Sequence, residues 1–269
     1  MGLIFKRPQS RQPPGPALLN PRWISRGLVY ADTLALPWDA KSKRFDTVTG
    51  TSIVTRGQGL TRNFDGVSAW SIQTPLTAHA EKRTYVIRMA VLGGGGNLFG
   101  RIFDKLTAGV ATEILYVDFT AAGRVGYRRD FSASHAQTTW PAPASGRDTV
   151  LVVTYDSSAA ANAPALYYDG VSQGAGTLEV VGSGTLVNNS DPYVIGNRGS
   201  DLLRTFDGYL SDFLIFDAIL TASEIAELSR NPADAYAPLP RQLWAPPEAA
   251  VVGAPNPIMY FPRKIFFEV

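Results

Sequence analysis

The chain has 269 residues and a mass of 29.0 kDa, with 45% hydrophobic and 18% charged residues and a mean hydropathy of -0.02, enough apolar material for one large β domain or two small ones. It contains no cysteine and only two histidines, His79 and His135, which excludes a disulfide framework, cysteine-ligated metal sites, thiol catalysis and any multi-histidine metal site within one chain. The net charge of +2 conceals a basic start, an acidic middle and a weakly basic end, and no stretch approaches the ~18 apolar residues of a membrane span.

Residues 1–30 hold five prolines and five basic groups without one acid. Proline cannot donate to a sheet and resists helix, so residues 1–26 read as an extended arm. Lys6, Arg7, Arg11 and Trp23 are its candidate partner contacts. A basic arm suits an acidic protein surface or nucleic acid; the plainer alternative is a solvated tail. Met1-Gly-Leu-Ile-Phe-Lys6 is too short in apolar residues for a signal-peptide core, and Lys6 breaks the myristoylation pattern at Gly2. The expectation is a protein made in the cytoplasm without an export signal of its own.

Residues 27–232 read as a run of short strands punctuated by turns. Trp70 alternates with small polar residues in Ser68-Ala-Trp-Ser-Ile72. Thr84 to Leu92 is β-branched and aromatic, and Gly93 to Gly96 stops it before Asn97 to Phe103, which predicts a hairpin with a flexible glycine tip. Glu113 to Phe119 and Gly123 to Arg129 flank a second hairpin turn. Thr149 to Tyr155 is apolar on both faces, as a central strand requires. Asp169-Gly170 is a type I′ turn pair, and Phe206 to Leu220 is a long, partly alternating apolar run. Such strands predict an all-β, two-sheet antiparallel sandwich. Thr221-Ala-Ser-Glu224 is a capping box opening one short helix over about 221–230, which Asn231-Pro232 ends.

Beyond Pro232 periodicity vanishes. Residues 235–269 hold seven prolines, and seven of the ten residues from Ile258 to Phe267 are large and apolar or aromatic. Such a segment in water is an aggregation hazard, so residues 233–269 read as an extended arm covered by the chain's own body, a symmetry mate or another protein. Leu243, Trp244, Tyr260, Phe261, Phe266 and Phe267 are its candidate contacts.

Motifs for catalysis fail on context. Gly170-Val-Ser-Gln-Gly174 has the spacing of a hydrolase nucleophile elbow, which requires a strand before it and a helix after it; here a hairpin turn precedes and a strand follows. The Gly93–Gly96 run lacks the Lys-Ser/Thr of a phosphate loop. No strand carries the closely spaced carboxylates of a glycosidase. Asn188, Asn189, Ser190, Asp191 and Asp201 offer oxygens to a calcium ion, but these residue types also dominate ordinary turns, and no cofactor is predicted. For sugar binding, Trp70, Tyr127, Arg129 and Trp140 are the candidate aromatic platform and hydrogen-bonding groups, with core packing as the alternative for each aromatic.

The order of these segments resembles the laminin-G-like, concanavalin A-like lectin/glucanase superfamily over about residues 27–232. Phe206-Asp-Gly-Tyr-Leu-Ser-Asp-Phe-Leu-Ile-Phe216 followed by Leu220-Thr-Ala-Ser-Glu-Ile225 carries the resemblance most specifically. It implies a jelly roll, and with the glucanases' paired acids missing it implies a binding or structural domain and no enzyme. Arg147-Asp148 stands where the family often has Trp. Asn231-Pro232, Gln242-Leu-Trp-Ala-Pro246 and Phe261-Pro-Arg-Lys264 look similar to proteins of tailed-bacteriophage and prophage gene clusters. The expectation is a non-enzymatic virion protein, a capsid decoration or a head or tail appendage. Its arms would hold it to a capsid or tail protein or to symmetry-related copies; membrane and nucleic acid are not expected partners. The alternative is a carbohydrate-binding module that attaches to surface glycans.

Overall fold

In the computed structural model the described residues are 19–34, 38–39, 41, 44–56, 59–74, 80–107, 110–120, 122–187 and 191–236. Helix α1 (Pro21–Ser25) opens them, followed by strands β1 (Leu28–Asp32), β2 (Trp38–Asp39), β3 (Arg44–Phe45), β4 (Thr47–Thr49), β5 (Ser52–Arg56), β6 (Gly59–Asp65) and β7 (Ser71–Gln73). Strands β8 (Lys82–Val91), β9 (Arg101–Thr107), β10 (Val110–Asp118), β11 (Arg124–Arg129), β12 (Ala136–Pro141) and β13 (Thr149–Asp156) form the middle. Strands β14 (Ala165–Tyr168), β15 (Val171–Ser172), β16 (Thr177–Val180), β17 (Val194–Ile195) and β18 (Asp207–Phe216) precede helix α2 (Ala222–Arg230) and a 3-10 turn, Pro232–Ala235.

Two antiparallel eight-stranded sheets make the predicted sandwich. The first runs β15-β14-β13-β8-β18-β6-β5, with β1 also paired to β18; the second runs β16-β12-β11-β10-β9-β17-β7-β4. The core between them takes alternate residues from both: Tyr85 and Ile87 from β8 and Phe213 from β18 meet Phe103, Leu115 and Tyr127 of the second sheet. β13 sits inside the first sheet and is buried along almost its whole length, as its two-faced apolar sequence predicts.

That burial requires a second layer. The outer face of the first sheet carries its own apolar cluster, in which Val86, Val152 and Leu214 meet Trp23 of α1, Ile225 and Leu228 of α2, and Tyr236. Thr221 caps α2 and Glu224 reaches back to the Thr221 amide at 2.9 Å, completing the predicted capping box.

Three sequence expectations change. Residues 21–25 are helical: Asn20 accepts from the Arg22 amide at 3.0 Å, and Pro21 fills the first turn, where a missing N–H costs nothing. Trp23, expected to contact a partner, lies 1% exposed against the protein's own Phe216, ring centroids 6.3 Å apart. The packed body therefore takes in Leu19 at one end and Tyr236 at the other, wider than 27–232. The other arm candidates, Lys6, Arg7, Arg11, Leu243, Trp244, Tyr260, Phe261, Phe266 and Phe267, lie outside the described residues.

The third change concerns Gly93–Gly96. β8 belongs to the first sheet and β9 to the second, so these glycines cross between sheets and close no hairpin. They lie flat on the segment before β18: the Gly96 amide donates to Thr205 O at 2.9 Å, and a Cβ on Gly96 would overlap the Leu203 carbonyl. Glycine is needed here for close backbone approach.

Candidate functional site

The two outer faces differ. Helices and an apolar cluster cover the β1, β18, β8 and β13 part of the first sheet, whereas the outer face of the second is mixed polar and aromatic and bears no helical layer among the described residues. Register places two outward rows across it. One runs Arg101, Tyr116, Gly126, Thr139; the other runs Gln73, Val194, Asp104, Ile114, Arg128, Gln137. Gly126 lets the Tyr116 ring lie flat, since a Cβ there would overlap the ring, and the Arg101 guanidinium stacks above it at 5.2 Å.

At one end of this face stands the loop between β17 and β18, which adds Arg198, Asp201 and Arg204. Asn197, fully buried, holds the loop: its side-chain amide donates to Trp70 O at 3.0 Å and Thr205 Oγ1 at 2.8 Å, while its Oδ1 accepts from the Arg198 and Arg204 amides at 2.8 and 3.0 Å. Arg198 pairs with Asp201, with Nε to Oδ1 at 2.8 Å. Arg204 donates to Asn97 O at 3.3 Å and stacks on Phe99 at 5.2 Å. At the other side Glu179 accepts from Arg124 and Thr139, both at 2.9 Å, and Asp130 accepts two bonds from Arg128, at 2.7 and 3.1 Å.

Asp104 lies beneath these cations with no exposed surface, and its nearest cation is Arg101 Nε at 3.6 Å. Burial pushes its carboxyl up to about 6, against the pull of Arg101, Arg198 and Arg128. Burial likewise lowers Arg101 to about 10, and the neighbouring Arg204 and Arg198 add to this by repulsion. The face is thus a sheet of stacked guanidinium donors over two rings and a buried acid, suited to hydrogen-bonding a polyhydroxylated or charged ligand.

The predicted glycan residues fall differently. Tyr127, Arg129 and Trp140 are each 1% exposed and point inward, so the expectation of an exposed platform there is corrected. Strand alternation is the reason: Gly126, Arg128 and Thr139, their immediate neighbours, face out. Trp140 instead donates from its indole to Gly174 O at 3.2 Å. Trp70 is half-buried, seated over Gly50, with its carbonyl held by Asn197 beside the arginine loop.

Inside the sandwich Arg129 belongs to a charged row. Lys105, Glu113 and Arg129 lie opposite one another on three adjacent strands. Glu113 accepts from Arg129 at 2.7 Å, from Tyr193 at 3.1 Å and from Tyr127, while Lys105 Nζ sits 4.7 Å over the Tyr193 ring. Burial raises Glu113, but Arg129 and the tyrosine hydroxyls outweigh it and leave the carboxyl below its ordinary range. Lys105 is pushed down to about 8 by burial, with Arg83 and Arg129 adding repulsion.

Among the described residues no group of three or more His, Cys, Asp or Glu is placed to hold a metal ion, and no helix is long and apolar enough to cross a membrane. Asn188, Asn189 and Ser190 lie outside the described residues. Ser172 lies in the two-residue strand β15 that returns from the Asp169-Gly170 turn, so no helix follows it.

A laminin-G family model, described as the concanavalin A-like lectin/glucanases superfamily, matches residues 75–226, more than half of the chain. No curated protein sequence matches. Among solved structures, domain 4 of the extracellular arabinanase AbnA from Geobacillus stearothermophilus, in complex with arabinotriose, superposes with a TM-score of 0.56 at 15% identity, covering 76% of this chain and 98% of that one. The binding domain of Paraclostridial mosquitocidal protein 1 gives 0.55 at 14% identity, and the botulinum neurotoxin type G receptor-binding domain 0.54 at 12%. Each covers 76% of this chain, which spans about half of those two toxin domains, 52% and 51%. At these identities the likeness is one of fold.

Proposed function

Because this chain belongs to the concanavalin A-like lectin/glucanases superfamily, we propose that its sandwich is a non-catalytic binding domain for glycans, docking them on the outer face of the second sheet. The observation that carries the reading is the asymmetry of the two faces: α1 and α2 cover the first sheet around Val86, Val152 and Leu214, whereas among the described residues no helix covers the second, where Arg101, Arg128 and Gln137 lie outermost over the buried Tyr116 and Thr139. The neighbours support it, as one is named in complex with arabinotriose, one as a binding domain and one as a neurotoxin receptor-binding domain. A non-catalytic role is supported by four acids of this face, since Asp130, Glu179 and Asp201 are each ion-paired to an arginine and Asp104 is buried, which leaves Asp118 without an acidic partner for a glycosidase pair.

The test is a glycan array followed by titration calorimetry on the full chain. Binding weakened tenfold or more by Arg101→Ala with Thr139→Ala, and unchanged by Arg230→Ala on α2, supports the reading. Undiminished binding in the double variant places the glycan elsewhere. Turnover of an oligosaccharide lost on replacing one acid of this face makes the protein an enzyme.

The terminal segments support a further part of the reading, display of the domain on a bacteriophage particle. It rests on the basic, proline-rich start and the apolar, proline-rich end of the sequence. Deletion of residues 1–18 or 248–269 is expected to abolish incorporation into particles while the sandwich still melts cooperatively. Normal incorporation of both truncations removes the anchoring role.

A further inference from the structure

Three arginines gather at one end of the open face, Arg101 on β9 and Arg198 and Arg204 on the β17–β18 loop, and Arg128 on β11 approaches Asp104 from the other side. Three of the four have a carboxylate partner, Arg128 with Asp130, Arg198 with Asp201 and Arg101 with Asp104. Arg204 has none within ion-pair distance among the described residues; it keeps one bond to the Asn97 carbonyl. The Nε groups of Arg204 and of Arg101 are buried and donate no hydrogen bond. That of Arg101 faces the buried Asp104 at 3.6 Å, so the outward demand of the cluster falls on the rest of the Arg101 and Arg204 guanidinium groups; an unmet donor costs about 1–3 kcal/mol. The cations are held against their own repulsion: burial lowers both Arg101 and Arg204, and nearby arginines lower them further.

Each also lies over an aromatic ring. Arg101 lies over Tyr116 and Arg204 over Phe99, and those two rings stand 6.2 Å apart, so the two cation–ring pairs adjoin. Stacked, immobilised guanidinium groups match the two-oxygen geometry of carboxylate and sulfate. The loop is fixed as well, because Asn197 accepts from the amides of Arg198 and Arg204.

We infer that the glycan taken by this face carries an anionic group, a uronate carboxylate or a sulfate ester, and that Arg204 together with Arg101 holds that group. The inference rests on the glycan-binding reading above and adds the ligand's charge and the residues that select it.

The experiment is titration calorimetry of the full chain with four probes: a galacturonate tetrasaccharide, a heparin-derived tetrasaccharide, a neutral xylotetraose and inorganic sulfate. One or both acidic probes are expected to bind, and to weaken as salt rises from 50 to 500 mM. Which of them binds distinguishes carboxylate from sulfate. Arg204→Ala should weaken that probe about ten- to a hundredfold, on the scale of a lost charge-assisted bond. Arg204→Lys should recover part of the loss, and Arg147→Ala, remote on the first sheet's side, should leave binding unchanged. Melting curves confirm that each variant folds; if Arg204→Ala does not, the lysine variant and the salt dependence decide. Xylotetraose binding as tightly as the acidic probes, with Arg204→Ala silent, overturns this inference while glycan binding stands. No binding of any oligosaccharide overturns both. Inorganic sulfate matching the acidic sugars reduces the site to an ion site and overturns the inference.

Discussion

Asp104→Asn isolates the cost of ionising a carboxyl under the arginine layer. Asp104 has no exposed surface, and burial lifts its carboxyl from 3.8 to about 6 despite the arginines around it. The shift is a little over two pH units, and each unit is worth 1.36 kcal/mol, so ionisation in the fold costs about 3 kcal/mol more than in the unfolded chain. The sign follows from proton binding. Between about pH 4 and pH 6 the folded state holds a proton that the unfolded state has lost, so stability falls as pH rises through that window. Asparagine mimics the protonated acid and removes the penalty. Asp104→Asn should therefore raise stability at pH 7.5 by up to about 3 kcal/mol, roughly 6–12 °C in Tm for a domain of this size, and change it little at pH 3.5, where both states are protonated. Scanning calorimetry of wild type and variant at pH 3.5, 5 and 7.5 measures this. A variant that is less stable at pH 7.5, or equally shifted at every pH, refutes the reasoning and makes the Arg101–Asp104 attraction the dominant effect.

Glu113→Gln leaves Arg129 and Lys105 buried without their carboxylate and should cost about 3–5 kcal/mol, read by urea unfolding; a loss under 1 kcal/mol would mean that water reaches the row. Gly96→Ala, driven into the Leu203 carbonyl, should destabilise by more than 1 kcal/mol, whereas a free loop tip would tolerate it within about 0.5 kcal/mol; thermal melts separate the two. Thr221→Ala removes the α2 cap and should cost about 1 kcal/mol, and Leu228→Ala, beneath the same helix, about 2–5 kcal/mol. Equal losses from the last two would contradict the view that packing, and not capping, holds α2.

Much of the fold was legible locally. Thr221 and Glu224 announce α2, Asp169 and Gly170 both have positive φ in their turn, and the two-faced apolar run of β13 does lie inside a sheet. Gly93–Gly96 was misread because a glycine run signals close backbone approach without saying whether the next strand joins the same sheet. The site was misread by one residue. β11 reads Arg-Val-Gly-Tyr-Arg-Arg, with charges on both faces, so alternation alone could not orient it. Val125 and Tyr127 in the core force Arg129 inward and Arg128 outward, and Glu113 and Lys105 are there to receive Arg129. A buried ion row contradicts every hydrophobic pattern, so only the register reveals it. Asn20-Pro21 did carry a helix-start signal, masked by the prolines around it.

Glycan binding on the outer face of the second sheet can be read residue by residue. Its most direct test is amide chemical-shift mapping with the tightest glycan from the array. Perturbations are expected to concentrate on β9 to β12 and on residues 197–206. Perturbations concentrated on α1, α2 and the first sheet would contradict it.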